Sequence, residues 1–272
     1  MNKTGIEWCD LSWNPITGCT PVSEGCAHCY AARMAKRLAG QAGYPKDDPF
    51  RVTFHEDRMG EPLHLKKPGV IFVCSMGDLF HEDVRAEWWV KIFGVMAKKH
   101  TFVVLTKRPA QMWQWLEDFT PLPNVRLGVS AENQARLDER MSHLMRLGAA
   151  GWHTVVSLEP LLGPVDVKPY LPPRVTPFTH AEKAAVRCVF PHGLPPNSLN
   201  AQIVRQHLGG VILGGETGPG ARPMDLDWAR RVRDDCAEAG VPFFLKQLDG
   251  KKNRVLDGRT HDELPWKTKE KP

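Results

Sequence analysis

No run of about 18 apolar residues occurs in the 272-residue chain, so no stretch reads as a membrane-spanning helix. The opening Met1-Asn2-Lys3-Thr4-Gly5-Ile6-Glu7 has no apolar signal core, and the expected location is the cytoplasm. In that reducing compartment, seven cysteines argue for metal or redox chemistry rather than a disulfide framework. His-x-His and His-Glu-x-x-His patterns are absent, which counts against a metal-dependent hydrolase. His55, His64, His81, His143 and His153 are scattered and read as ordinary surface or core residues. There is no internal repeat and no strong excess of one charge. A net charge of +5 permits nucleic acid as a partner without requiring it.

What is present is an alternation. Apolar, β-branched runs at 70–74, 101–105, 125–129, 154–158, 210–214 and 242–245 predict buried strands. Helix-period stretches at 31–38, 86–99, 110–119, 134–147 and 227–239 separate most of them. With a first strand expected near 13–17, this makes about six or seven strand–helix units, an α/β chain folded as a partial or full parallel β/α barrel. The barrel is expected over 1–250. A proline-rich insertion at about 163–208 carries eight prolines and two expected helices, near 181–186 and 199–207. The polar segment 251–272 is expected to wrap the surface as a C-terminal tail. Most of the nine tryptophans should be core or ligand-wall residues.

The densest chemistry lies between Trp13 and Tyr30. Cys19, Cys26 and Cys29 form a C-x6-C-x2-C pattern just before the first helix, with Gly18 and Gly25 each preceding a cysteine and permitting unusual backbone angles. Thiolates are soft ligands suited to iron–sulfur clusters and zinc. Three thiolates on a [4Fe–4S] cluster leave one iron open, as catalytic zinc sites keep one position open. S-adenosylmethionine can chelate that iron through its amino and carboxylate groups. One-electron reduction would then release a 5′-deoxyadenosyl radical that abstracts hydrogen. The competing interpretation is a structural zinc site, with Cys9 as fourth ligand. Cys74 and Cys236 fall on strand and helix patterns and read as buried apolar thiols.

These residues resemble the radical S-adenosylmethionine superfamily, whose loop is C-x3-C-x2-C with an aromatic residue before the last cysteine; here His28 fills that place and the first gap is longer. The chain looks more closely like a phage- and prophage-associated three-cysteine family. The motifs carrying that likeness are Trp13-Asn14-Pro15, Gly18-Cys19, Gly25-Cys26 to Tyr30, Leu105-Thr106-Lys107-Arg108, Gly214-Gly215-Glu216, Ala221-Arg222-Pro223 and Phe244-Leu245-Lys246-Gln247. More loosely it resembles the branch containing spore photoproduct lyase, which acts on thymine in DNA. The resemblance implies a radical-SAM-type barrel with Cys19, Cys26 and Cys29 on the cluster. It also implies S-adenosylmethionine as cofactor, an external electron donor of flavodoxin or ferredoxin type, and a host-cell cytoplasm if a phage encodes the chain. His28 and Tyr30 join the cofactor-binding set on the same ground.

In such barrels the chemistry gathers at the carboxyl ends of the strands. After the second strand, Ser75, Met76, Gly77 and Asp78 are a degenerate match to the family's Gly-Gly-Glu motif for the cofactor's ammonium; the alternative is that Asp78 caps a helix. After the third, Thr106-Lys107-Arg108, with Lys107 preferred, suits a carboxylate or phosphate, or is a solvated basic turn. After the fourth, Ser130 and Glu132 suit ribose hydroxyls, unless Ser130 caps the next helix. Glu159, followed by proline at a barrel mouth, is hard to explain as core. Glu216 and Arg222 offer a charge pair after the sixth strand, and Lys246 and Gln247 follow the last; these four are expected on the substrate side, with a nucleobase in DNA or a nucleotide as substrate. A different class remains beside this one: a nucleic-acid-binding protein with a structural cysteine-ligated metal, supported by the basic charge and by Arg230, Arg231 and Arg233. Asp227, Asp234 and Asp235 on the same helix make a solvated face the cheaper explanation of those arginines.

Overall fold

The computed structural model describes residues 2–173, 207–248 and 253–266. The helix expected near 181–186, nearly all of that near 199–207, and Cys188 lie outside the described residues.

The main sheet is built from β1 (Asn2–Lys3), β2 (Leu11–Trp13), β5 (Val70–Val73), β6 (Thr101–Thr106), β7 (Val125–Ser130), β8 (His153–Leu158), β9 (Val211–Gly214) and β10 (Phe243–Gln247), in that spatial order. β1 runs antiparallel to β2 at one edge; the seven strands from β2 to β10 are parallel. Helices α1 (Tyr30–Arg37), α2 (Ala86–Met96), α3 (Pro109–Leu116), α4 (Gln134–Ala149) and α5 (Leu226–Ala239) lie between strands. The result is the half-barrel of α/β type that the alternation predicts, coiled by the normal twist of parallel strands.

The central strands bury both faces, which is why their runs read as continuously apolar. Ile71, Val73, Phe102, Val104, Leu127 and Val129 pack outward with Trp89, Ile92 and Met96 of α2 and Met141 and Leu144 of α4. Their alternating neighbours Val70, Val103, Ile212 and Phe244 face inward, onto Trp8, Leu264 and the partly buried Trp266. Each large apolar side chain buried this way contributes roughly 1.5–3 kcal/mol.

Two expectations need correction. The first parallel strand is Leu11–Trp13 and not 13–17. Pro15 has no N–H for a ladder, and Asn14 turns the chain there, its side-chain oxygen accepting from the Met76 amide at 2.9 Å. The following β3 (Ile16–Thr17) leaves the sheet to pair antiparallel with β4 (Thr53–Phe54). The second concerns 253–266, which does not merely wrap the surface. β11 (Val255–Leu256) and β12 (Arg259–Thr260) form a hairpin. The segment after it pairs with the free edge of β10, Leu245 N–H donating to His261 O and Glu263 N–H to Phe243 O. Leu264 is buried, and Trp266 packs on Trp8 with its indole N–H on the Trp8 carbonyl at 3.0 Å. An edge strand and an apolar inner face both need cover, and a few apolar residues in a polar segment supply it. Among the described residues no helix is long and apolar enough to cross a membrane.

Candidate active site

The connection from β2 to α1 is the cysteine loop. It lies over the carboxyl ends of the strands and is held by the segments that follow four of them. After β5, Met76 O accepts from the Gly18 amide at 2.9 Å, and Gly18 forms a parallel bridge with Gly77. After β6, Arg108 Nη1 donates to Cys19 Sγ at 3.2 Å. After β7, the Glu132 side chain lies under Gly25, and Asn133 and Arg136 donate to the Glu24 carboxylate. After β9, Glu216 meets His28 Nδ1 at 2.9 Å, and Arg222 reaches the Glu24 carbonyl at 3.1 Å.

The two loop glycines serve different ends. Gly18 has φ +93°, and a Cβ there would fall 2.2 Å from the Arg51 carbonyl, so both backbone and space require glycine. Gly25 has no positive φ; a Cβ there would stand 3.0 Å from the Glu132 carboxyl carbon, and its role is close approach.

Charge around the loop is organised in pairs. Asp78 is buried and accepts from Thr106 Oγ1 at 2.8 and 2.9 Å, from the Phe80 amide at 3.0 Å and from Arg108 at 3.5 Å. Glu132 and Arg140 are a fully buried ion pair at 2.9 Å, with Arg140 also on the Ser130 carbonyl. Glu216 accepts from Arg222 Nε at 2.9 Å, Nη2 at 2.5 Å and the Arg222 amide at 2.9 Å. Arg222 above all, helped by His28, holds the Glu216 carboxyl down at about 2 against the cost of burial.

The thiols differ. Burial, with Asp78 adding to it, pushes Cys19 up to about 12 although Arg108 pulls the other way. For Cys26, burial also acts upward, but the Val22 and Ser23 amides and the Lys107 charge outweigh it and the thiol falls below its usual value.

A second polar group lies at the ends of β8 and β10. Glu159 accepts from Ser157 Oγ at 3.0 Å and meets Lys246 Nζ at 2.9 Å, both side chains being partly buried. Gln247 donates to the Gly215 carbonyl at 2.9 Å.

The expected residues therefore fall into two sets. Cys19, Cys26, Cys29 and His28 share the loop; Met76, Gly77, Glu132, Glu216 and Arg222 hold it from around, and Asp78 stands behind it through Arg108. Lys107 is close enough to Cys26 to bias its charge. Glu159, Lys246 and Gln247 make the second set. Ser75 hydrogen-bonds Ser12 at 2.5 Å and Asn14 at 3.2 Å. Ser130 does not cap α4: Asn133 does, accepting from the Arg136 amide at 3.0 Å. Nor does Asp78 cap α2, whose N-cap is Arg85. Tyr30 is exposed at the start of α1. Residue types alone missed Asn14, Thr20, Arg140 and His81; the last is buried and meets Thr20 Oγ1 at 2.9 Å. The Trp13-Asn14-Pro15 motif was the available signal for Asn14.

The three loop thiols are free and half-buried. Among the described residues no three His, Cys, Asp or Glu side chains stand together as ligands of one ion. A four-iron cluster offers each thiolate its own iron and needs no such convergence. Three soft donors on one loop, with Arg108 and Lys107 beside them, fit a cluster of that kind.

A family model described as "Protein of unknown function (DUF5131)" matches residues 3–265. The chain belongs to this family. No curated protein matches it. Among solved structures it is similar to a spore photoproduct lyase bearing a cysteine-to-serine substitution, with TM-score 0.53 and 11% identity over 90% of this chain and 78% of that one. A spore photoproduct lyase complexed with dinucleoside spore photoproduct aligns with TM-score 0.44 and 12% identity, over 82% of this chain and 60% of that one. The first likeness is one of fold: the half-barrel here is the spore photoproduct lyase fold.

Proposed function

We propose that the protein is a radical S-adenosylmethionine enzyme whose [4Fe–4S] cluster is held by Cys19, Cys26 and Cys29. The observation that carries this is the placement of three free thiols on one loop across the carboxyl ends of a parallel half-barrel. When bound, the cluster and S-adenosylmethionine together supply a carbon-centred radical able to take hydrogen from an unactivated carbon.

The chain's own residues bind and orient. Glu216, Arg222 and Glu132 fix the loop from one side, and the Met76 carbonyl and Gly77 from the other. Ser75, Met76, Gly77 and Asp78 are the candidates for the cofactor's ammonium, and Asp78 already accepts from Thr106. Lys107 is the candidate for a carboxylate or phosphate. Ser130 stands at the end of β7 for a ribose hydroxyl, and His28 and Tyr30 flank the last cysteine. Glu159 with Lys246, and Gln247, form the substrate side. The ion pair leaves a positive and a negative group side by side, which suits a ring carrying both donors and acceptors, as a nucleobase does. The substrate proposed is a nucleobase in DNA; the positive net charge and a fold shared with a spore photoproduct lyase support it. The electron is proposed to come from an external flavodoxin- or ferredoxin-type donor.

The test is anaerobic incubation of reconstituted protein with dithionite and S-adenosylmethionine, with and without duplex DNA. The expected outcome is 5′-deoxyadenosine formation that DNA stimulates, an altered nucleoside in the DNA digest, and neither product from Cys26→Ala. Equal turnover with and without DNA and an unaltered digest would remove DNA as substrate. A protein that forms no 5′-deoxyadenosine and binds one zinc would remove the radical mechanism.

A further inference from the structure

We infer that Arg108 is a tuning residue for the cysteine loop, setting the reduction potential of the cluster through Cys19. The inference rests on the cluster proposed above.

Arg108 ends the Leu105-Thr106-Lys107-Arg108 run directly before α3, and it is spent differently from its neighbour. Its side chain is 8% exposed. Nη1 donates to Cys19 Sγ at 3.2 Å, Nη2 to Thr20 Oγ1 at 2.7 Å and to the Thr20 carbonyl at 3.1 Å, and Nε to Glu82 Oε2 at 2.8 Å. Asp78 Oδ2 is 3.5 Å from Nη1. The Arg108 amide donates to Thr106 Oγ1 at 2.9 Å. His81 closes the same shell by meeting Thr20 Oγ1. The guanidinium is therefore clamped on three sides, and its planar fork leaves one N–H aimed at one sulfur.

A contact of this kind has a directional consequence. Adding an electron to a thiolate-bound cluster increases negative charge on the sulfurs. A cation donating a hydrogen bond to one of them stabilises the reduced form more than the oxidised, and so raises the potential. Burial strengthens the effect by limiting screening. Among the described residues, Cys26 and Cys29 accept no side-chain hydrogen bond from arginine or lysine, so the three ligands are electrostatically unequal. The nearby carboxylates Asp78 and Glu82 oppose Arg108 in part, and Lys107 adds to it from the Cys26 side.

A lysine at this position would keep the charge and lose the fork. Retained charge with lost geometry should give an intermediate potential, which separates tuning from a general disturbance of the loop.

The experiment is a dithionite-poised redox titration of the reconstituted full chain, followed by electron paramagnetic resonance, for wild type, Arg108→Gln and Arg108→Lys. The reduced-to-oxidised ratio at fixed potential is expected to fall about tenfold in Arg108→Gln, a downward shift of about 59 mV for one electron, with Arg108→Lys between it and wild type. If Arg108→Gln does not fold or load iron, the Arg108→Lys midpoint decides alone, and it must lie below wild type. Variants that load a four-iron cluster at the wild-type midpoint overturn the tuning role and leave the cluster standing. A wild-type protein with no four-iron signal overturns the cluster and this inference together.

Discussion

The two ends of the same parallel sheet are made of opposite materials. At the amino ends, Trp8, Leu264 and Trp266 close the inner face against Val70, Val103 and Phe244, with a Trp8–Phe72 ring separation of 4.7 Å. At the carboxyl ends, the cysteine loop is held by hydrogen bonds and ion pairs from Arg108, Asn133, Arg136, Glu216 and Arg222, and Arg108 and Glu216 are themselves paired with Asp78 and Arg222. An apolar plug is non-directional and supplies free energy. A charged clasp costs desolvation and fixes geometry. Changes to the plug should therefore lower stability without touching cofactor binding, whereas changes to the clasp should reach cofactor binding as well.

The largest expected effects come one from each end, the plug first. Trp8→Ala should destabilise the fold by about 3–5 kcal/mol through transfer and cavity costs. Urea unfolding checks this, and iron bound per folded molecule should stay at the wild-type level. A variant that loses iron in proportion to nothing but its stability sharpens the comparison; loss of iron at full stability breaks it. The mirror-image change is Glu132→Ala, which leaves Arg140 buried and unpaired. It should cost about 3–5 kcal/mol and also loosen the loop above it, so thermal melting and iron content should fall together.

A smaller, pH-dependent effect belongs to Glu216. Its folded carboxyl is held at about 2, below the usual 4.5. A depressed acid contributes stability that is fully present above the unfolded value and is lost as pH falls through that interval towards 2. Glu216→Gln should lower stability at neutral pH and flatten the loss between about 4.5 and about 2, as read from urea midpoints across that range. The smallest effect is expected for Lys246→Met. The pair with Glu159 is partly solvated, so the cost should be about 1 kcal/mol or less, with the cluster spectrum unchanged.

Which parts were legible in the sequence follows the same division. β5 to β10 announce themselves because a strand buried on both faces must be apolar throughout. β2 was displaced because Trp13 and Ile16 flank Asn14-Pro15, where composition looks strand-like and proline breaks the ladder. The role of 253–266 was hidden because Leu264 and Trp266 are isolated in a polar segment. At the clasp, the cysteines and most of the charged residues after the strands could be found from their positions. Their pairing could not: Lys107 and Arg108 are adjacent, and only the fold shows that Arg108 binds Cys19 while Lys107 acts on Cys26. Likewise Gly25 signals a tight loop, whereas its neighbour Glu132 comes from a strand end over a hundred residues away.

The central claim is that the loop holds a four-iron cluster with an open site. The most direct measurement is the electron paramagnetic resonance spectrum of anaerobically reconstituted, reduced protein with and without S-adenosylmethionine. The account predicts a four-iron signal that changes on adding the cofactor and is absent from Cys26→Ala. A silent sample that binds one zinc, or a cluster signal indifferent to S-adenosylmethionine, would contradict it.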